Sequence, residues 1–241
     1  MLLAIDTSSC TSVAVVDRER GVLAEATELD TRRHAEVVGE LIAACLDEAG
    51  VSPRDLSAVI AGMGPGPFTG LRVGIAAARA FAFGAGRPCL PLVSHDAVAF
   101  ERLGGLALVA GGVAGAPAPA SPERAVPAAS AQPLLVVTDA RRREVYWSAY
   151  SHLDEQGLPV RVSGPSLVRP DDLDEVVRAS CGASFTADAE RTDPASTAVS
   201  GAALGLLGET LYAAGRSFAA DEPLYLRSPD VTVPGAPKRV S

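Results

Sequence analysis

The chain has 241 residues, of which 48% are hydrophobic and 21% are charged, and its formal net charge is −8. This composition supports a packed core, and the length allows one large domain or two small ones. The negative charge argues against a stand-alone nucleic-acid-binding protein, because phosphate contacts need clustered Lys and Arg side chains.

The first part of the chain predicts three strands and then alternating helices and strands. Residues 2–5 form a short apolar run that ends at Asp6, and two further strands are expected over 11–17 and 21–29. Three meandering strands followed by alternating elements predict a mixed sheet covered by helices. The alternating elements are a helix over 34–49, a strand over 57–61, a helix over about 71–83, a strand over 88–92 and a short helix from Ser94.

A specialised turn separates the strand at 57–61 from the next helix. Residues 64–67 are Gly-Pro-Gly-Pro, and they must form a shaped, irregular turn because Pro fixes φ and Gly permits positive φ. Thr69 is placed to cap the helix. The turn lacks the Gly-Lys pair of a Walker loop, and its prolines have no N–H groups to cradle phosphate. The sequence therefore favours an element that supports a partner surface, with a rigid connection as the plainer alternative.

Residues 110–133 differ in composition from the rest of the chain. Ala, Pro or Gly occupies 17 of these 24 positions, and none is aromatic. Such a segment cannot bury enough apolar surface to offset its ordering entropy. We therefore expect a flexible surface insertion.

The opening pattern recurs after this insertion. Residues 134–139 repeat the apolar strand that ends in Asp, and 145–150 repeat the return strand, which indicates an internal duplication. A strand over 160–168, a helix opened by Pro170 and a long helix over about 196–214 complete the expected elements. The predicted division is a first lobe over 1–109, the insertion over 110–133, a smaller second lobe over 134–195, a C-terminal helix that packs back with its final segment over 196–227, and a loose tail over 228–241.

Two similar halves, each opening on a strand that ends in Asp, resemble the actin-like ATPase superfamily. In that superfamily the two Asp-bearing turns clasp nucleotide phosphates and metal between the lobes. The resemblance implies an α/β fold of two duplicated actin-like (ribonuclease H-like) lobes, each a mixed sheet flanked by helices.

A narrower resemblance is to the TsaB (YeaZ) family, and it covers about 1–98, 134–168 and 196–227. This chain departs from the usual family turn, which has Ser where Pro67 stands, and from the shorter family pattern at the insertion. The motifs that carry the resemblance are Ala4-Ile5-Asp6-Thr7-Ser8, His34 at the head of the first helix, the turn from Gly64 to Gly74, the stretch from Asp139 to Tyr146, and Tyr225-Leu226-Arg227.

This resemblance implies a non-catalytic scaffold that activates a TsaD-like paralogue. The pair would make N6-threonylcarbamoyladenosine at position 37 of tRNAs that read codons starting with A. It implies a heterodimer with the paralogue, docking of a TsaE-like ATPase, self-association as a homodimer, and contact with tRNA through the complex. ATP and metal are then expected on the partner subunits, and no cofactor is expected on this chain.

The sequence also predicts a cytoplasmic location away from membranes. The four cysteines are scattered without a Cys-x-x-Cys pair, which is typical of reduced thiols. No basic segment precedes the first apolar run, so no signal peptide is expected. No apolar run reaches the roughly 18 residues of a membrane span.

Given the resemblance, the first two helices are the predicted partner surface. They carry more apolar and small residues than one core face needs, and small residues allow close helix packing. The plainer alternative is that both helices are simply well buried. The predicted interface residues are His34, Val37, Val38, Leu41, Cys45, Phe68, Arg72, Ala76 and Arg79.

A vestigial nucleotide site is the second candidate, and it would make the chain an ATP-dependent enzyme of the actin-like class. Its residues are Asp6, Thr7, Ser8 and Asp139, since an Asp followed by hydroxyls could hold a hydrated metal or contact phosphate. The alternative is a local turn bonded to its own backbone. Arginines at 141–143 stand where the superfamily has small residues, which counts against a nucleotide. They could instead contact RNA or an acidic partner, or form a solvated turn.

A metallopeptidase-like enzyme is the third candidate. TsaD-like chains bind metal through a His-x-x-x-His pair, but here His95 is followed at the fourth position by Ala99. One imidazole makes a poor metal site, because a catalytic ion needs about three protein ligands. We therefore predict no catalytic residue and no metal ligand in this chain.

Overall fold

The first half of the chain builds a five-stranded mixed sheet in the order β3-β2-β1-β4-β5. Strands β1 to β3 form an antiparallel meander, and β4 and β5 add to β1 in parallel. The strands are β1 (Leu2–Asp6), β2 (Thr11–Asp17), β3 (Gly21–Glu28), β4 (Ala58–Gly62) and β5 (Cys89–Leu92).

The computed structural model describes residues 1–106 and 132–227. The predicted insertion therefore lies outside the described residues over 110–131, and so does the predicted tail over 228–241. Within the described ranges, no helix has the length and apolar character needed to cross a membrane.

The second half repeats the topology of the first. Its four-stranded sheet has the order β8-β7-β6-β9, again an antiparallel meander with a parallel strand added to its first member. Asp6 pairs with Ser12 across the first hairpin, and Asp139 pairs with Val145 across the second. The predicted α/β fold of two duplicated lobes is confirmed. The strands are β6 (Leu134–Asp139), β7 (Val145–Leu153), β8 (Pro159–Val168) and β9 (Glu190–Arg191).

Helices separate and cover the two sheets. One face of the first sheet packs against α1 and α2, and its other face packs against α3 and α6. The layer formed by α3 and α6 also contacts the second sheet, whose outer face is covered by α4. The helices are α1 (His34–Ala49), α2 (Phe68–Ala85), α3 (Ser94–Arg102), α4 (Leu173–Cys181), α5 (Ala183–Asp188) and α6 (Gly201–Ala213), with short 3-10 turns at Pro53–Asp55 and Pro170–Asp172.

Two helix starts differ from the prediction. Helix α2 begins at Phe68, directly after Pro67, and no side chain caps it, so the expected cap from Thr69 is wrong. The fixed φ of Pro67 ends the turn early and lets the helix begin at the next residue. Helix α6 begins at Gly201 rather than near 196, because the Ser200 hydroxyl accepts a hydrogen bond from the Ala203 N–H and so sets its cap.

Thr7 fixes α2 against the carboxyl end of β1. Its hydroxyl donates to the Gly70 carbonyl (2.7 Å) and accepts from the Gly74 N–H (3.0 Å), which are i, i+4 partners in a regular helix. A Cβ atom on Gly74 would overlap Thr7 Oγ1. Glycine is therefore required at 74 for close approach rather than for backbone freedom.

We expect Gly74→Ala to lower the free energy of unfolding by about 1–3 kcal/mol, because overpacking outweighs the better helix propensity of alanine. Gly39→Ala in α1 is the matched control, since nothing lies within 4 Å of a Cβ there. It should raise stability by about 0.5–1 kcal/mol. Urea denaturation measures the free energy of unfolding of both variants. A Gly74→Ala variant that is more stable than the parent chain would contradict the role of Thr7.

Candidate functional site

The first Asp-bearing turn is closed by hydrogen bonds within the chain. Asp6 Oδ1 accepts from the backbone N–H (2.7 Å) and the hydroxyl (2.6 Å) of Ser8, and Oδ2 accepts from the Ser94 hydroxyl (2.5 Å). Ser94 Oγ in turn accepts from the Gly64 N–H (3.0 Å). The carboxylate therefore connects β1, the Gly-Pro turn and the start of α3.

Asp6 does not have the surroundings of a metal or phosphate ligand. It is fully buried, and burial raises the pKa of its carboxyl, while the hydrogen bonds from Ser8 and Ser94 oppose that shift. A Cβ atom on Gly62 would overlap Asp6 Oδ2, so the backbone of β4 closes that side. These residues do not fit the metal-bound nucleotide that the actin-like superfamily holds at this turn.

The second Asp-bearing turn has an unusual backbone. Arg141, Arg142 and Arg143 have φ values of 61°, 52° and 62°, all in the left-handed region, which costs roughly 1–2 kcal/mol per residue for side chains other than glycine. Asp139 accepts from the Arg141 N–H (2.8 Å) and pairs with its guanidinium (3.3 Å). The Arg141 guanidinium also donates to Thr31 Oγ1 (2.7 Å), which lies in the first lobe.

A cleft of about 780 Å³ lies between the two turns. Among the predicted nucleotide residues, the structure brings Ser8 and Asp139 to its wall, while Asp6 and Thr7 lie buried beneath it. The cleft is the place where the two lobes present polar groups to one another. Its other polar lining includes Ser9, His34, Thr69, Arg141 and Thr197.

Both nitrogens of His95 are occupied. Nδ1 lies 2.8 Å from Ser148 Oγ and Nε2 lies 2.8 Å from Thr138 Oγ1, and burial lowers the pKa of the imidazole to about 3. The ring is a neutral connection between α3 and the second sheet. Within 1–106 and 132–227, no group of three or more His, Cys, Asp or Glu side chains is placed to hold a metal ion.

The predicted interface residues divide between the core and the surface. His34, Val37, Val38 and Cys45 are buried within this chain, so the structure removes them from the outward face. The apolar spacing on α1 marks the face that packs on the first sheet, as the plainer alternative of two well-buried helices expects for these residues. Leu41 and Phe68 are partly buried, and the exposed members of the set are Arg72, Ala76 and Arg79.

The outward face of α1 and α2 combines small residues with charged ones. On α1 it includes Ala35, Gly39 and Ala43, and on α2 it includes Ala80 beside Ala76. Phe83 lies on the same side of α2, seven residues after Ala76, and its side chain is 90% exposed. Gly39 and Phe83 also lie on this face and are not among the predicted interface residues, although helical spacing places Phe83 on the same side as Ala76.

The C-terminal segment joins the Gly-Pro turn to the second lobe. The Leu224 N–H donates to the Met63 carbonyl (2.9 Å), and the Tyr225 ring lies 4.6 Å from the Phe68 ring. Arg227 donates to the Ala140 carbonyl (3.1 Å) and pairs with Glu144 (3.3 Å). These contacts explain what the Tyr-Leu-Arg motif does in the fold.

Comparisons with known proteins identify a matching family model and several relatives of this chain. Residues 8–113 match the family model described as TsaD, tRNA N6-adenosine threonylcarbamoyltransferase. The chain is 35% identical over 175 residues to an uncharacterized protein of Mycobacterium tuberculosis, covering 72% of this chain and 67% of that protein.

Other relatives have functional names. The tRNA threonylcarbamoyladenosine biosynthesis protein TsaB of Escherichia coli is 29% identical over 178 residues, with 72% of this chain and 64% of that protein covered. The TsaB protein of Haemophilus influenzae is 32% identical over 148 residues, with 61% and 52% covered. The solved structure of YeaZ from Pseudomonas aeruginosa has the same fold, with a TM-score of 0.63 and 24% identity over 93% of this chain and 99% of that one.

We expect Asp6→Ala to lower the free energy of unfolding by about 1–3 kcal/mol, because it leaves the buried donors of Ser8 and Ser94 without an acceptor. Asp139→Ala removes a carboxylate from the equivalent but exposed position, and its effect should stay within about 1 kcal/mol. Thermal and urea denaturation compare the two variants. Equal losses would show that Asp6 has no special structural role.

Proposed function

The chain belongs to the TsaB (YeaZ) family, and on that premise we propose that it is the non-catalytic, activating subunit of a tRNA-modifying complex. The complex transfers threonylcarbamoyl to N6 of adenosine 37 in tRNAs that read codons starting with A. Two of its relatives carry the name tRNA threonylcarbamoyladenosine biosynthesis protein TsaB, and the matching family model describes the transferase itself. Its direct partner is a TsaD-like paralogue.

The outward face of α1 and α2 is the observation that carries this proposal. A Cβ atom on Gly39 or on Gly84 would meet nothing within 4 Å, so both helix backbones are open to close approach by other helices. Phe83 supplies a large apolar side chain on the same side. An aromatic anchor surrounded by small residues is typical of a helix-packing interface.

The charges on this face suit a partner of the same fold. Glu40 and Asp47 are exposed on α1, whereas Arg72 and Arg79 are exposed on α2. In a two-fold arrangement that places α1 of one subunit opposite α2 of the other, the acidic α1 would face Arg72 and Arg79, although Arg79 is already paired with Asp221 within the chain. The arrangement supports a paralogue heterodimer and also allows a homodimer through the same face.

Under this proposal, the partner subunits hold the ATP and metal sites and catalyse the transfer reaction. Both oxygens of the Asp6 carboxylate accept hydrogen bonds within the chain, and both ring nitrogens of His95 are hydrogen-bonded as well. These contacts support a subunit that has no metal site of its own. ATP and metal are then held by the TsaD-like subunit and by a TsaE-like ATPase that docks on the pair, and tRNA is reached through the complex.

Reconstitution tests the proposal directly. We expect the purified chain, given threonylcarbamoyl-adenylate and tRNA, to leave adenosine 37 unmodified. Adding the TsaD-like protein of the same organism, with the TsaE-like ATPase and ATP, should produce the modified nucleoside, detected by mass spectrometry of digested tRNA. Modification by the chain alone would overturn the non-catalytic assignment.

We expect Ala76→Arg to weaken binding to the TsaD-like partner by about 30-fold or more, because the new charge would be buried at the centre of the interface. The far-ultraviolet circular dichroism spectrum should not change, since Ala76 is exposed in the free chain. Ala179→Arg is the matched control, because Ala179 is an exposed alanine on α4 of the second lobe. Its affinity, measured by calorimetry, should stay within about twofold of the parent chain.

Val38→Glu, by contrast, should unfold the chain, because Val38 lies in the core between α1 and the first sheet. If folded Ala76→Arg binds the partner normally, the interface lies on another surface.

A further inference from the structure

The arginine turn at 141–143 has an outer side that lies away from the interlobe cleft. Arg141 lines the cleft and is fixed there by Asp139 and Thr31. Arg143 is exposed and does not line the cleft, and its guanidinium has no ion pair or hydrogen bond within residues 1–106 and 132–227. Successive left-handed residues persist only where surrounding contacts fix them, and such strain concentrates where proteins bind ligands.

A second exposed arginine lies beside this turn. The last pair of the β7–β8 ladder joins Val145 to Val168, so Arg169 comes opposite Glu144 at the same edge of the sheet. The Arg169 guanidinium forms no ion pair or hydrogen bond with the part of the chain that the structure describes. The acidic residues of the following 3-10 turn, Pro170–Asp172, limit the positive surface on that side.

Side-chain contacts continue from the turn to helix α2. The Arg227 guanidinium pairs with Glu144 (3.3 Å), and the Tyr225 ring, two residues earlier, lies 4.6 Å from the Phe68 ring. The Arg72 guanidinium lies over the other side chain of that ring pair, 5.1 Å from the centroid of Phe68. The Tyr225 side chain is 39% exposed, and Arg72 is exposed on α2. Cationic and aromatic groups therefore follow one another along one surface.

This combination of groups suits the backbone of RNA better than an acidic peptide. A guanidinium group donates in a fork that matches phosphate oxygens. An exposed aromatic ring offers a face on which an unpaired base stacks, which an acidic peptide would not use. The carboxylates nearest the turn are neutralised, Glu144 by Arg227 and Asp139 by Arg141.

We propose that this surface, formed by Arg72, Tyr225, Arg143 and Arg169 and called here the arginine track, binds the backbone of the tRNA on which the complex acts. The inference rests on the proposed function and adds a direct contact between this chain and RNA. Arg143 and Arg169 would donate to phosphate oxygens, and Tyr225 would stack on a base. Because Arg72 belongs to the helix that carries the proposed partner face, RNA held by the partner would continue along the track. The net charge of −8 means that the track supplies only part of the affinity of the complex.

The test measures how an unmodified tRNA transcript binds the complex of this chain with its TsaD-like paralogue over a series of salt concentrations. Arg143→Gln combined with Arg169→Gln should weaken binding about tenfold. It should also reduce the slope of log affinity against log salt by about 1–2, because each lost phosphate contact releases fewer counterions. The corresponding double change to Lys keeps both charges and should retain most of the affinity.

Arg18→Gln is the matched control for the loss of charge. It removes an exposed guanidinium from the hairpin after β2, at the opposite end of the first sheet from Asp6. Charges separated by more than the Debye length of about 8 Å are largely screened at physiological salt. The tRNA affinity of this variant should therefore stay within about twofold of that of the parent complex.

Two further measurements separate this inference from the proposed function. Calorimetry without RNA should show that the double Gln variant binds the paralogue normally; weaker binding would mean that the arginines contact the protein partner, and it would overturn the RNA contact. The RNA contact is also overturned if the parent complex modifies tRNA while the double Gln variant keeps the parent affinity and salt slope. If the parent complex makes no modified nucleoside, the proposed function fails, and the tRNA affinities still decide whether the track binds RNA.

Discussion

The buried Asp6 carboxylate is the interaction on which the arrangement of the first lobe depends. Burying a carboxylate costs free energy unless its oxygens accept hydrogen bonds. Here each donor to Asp6 lies on a segment that must be placed correctly in the fold. Ser8 closes the turn after β1, and Ser94 brings the start of α3 to the same point. Through Ser94 the network reaches Gly64, so the Gly-Pro turn is positioned by a group that belongs to β1.

The Gly-Pro turn is where the two lobes meet. The Tyr146 hydroxyl, from the second sheet, donates to the Gly66 carbonyl (3.1 Å), and a Cβ atom on Gly66 would press on the backbone of Ser8. The C-terminal segment adds Leu224 at Met63 and continues to the arginine turn. A turn with so many partners needs a defined shape, which two prolines and two glycines supply through fixed and permitted φ values.

Helix α2 extends from the interlobe cleft to the outward face of the first lobe. Its N-terminus lies in the cleft, where it meets His34 and Arg141, and its outward side presents Ala76 and Phe83. Thr7 fixes the helix between these surfaces through Gly70 and Gly74.

The sequence by itself determined the fold class. Apolar strands ending in Asp at 6 and 139 revealed the duplication, and the change from strand to helix period at 34 marked the first covering helix. These features are local, so they can be recognised without knowing which segments meet. The same local signals predicted the start of α2 three residues too late. Its N-cap is Pro67, which has no hydroxyl or carboxylate side chain of the kind that marks a helix start in a sequence.

Only the tertiary structure decided what the candidate residues do. The apolar stripe on α1 marks the face where Val38 and Cys45 pack on the sheet. Alanine and glycine are equally compatible with core and surface, so the sequence could not show that Gly39 and Ala76 face outward. The use of Asp6 depends on Ser94, which is 88 positions away in the chain. The cleft likewise joins His34 to Arg141 from different lobes. Such contacts are set by the packing of whole layers, which sequence spacing does not encode.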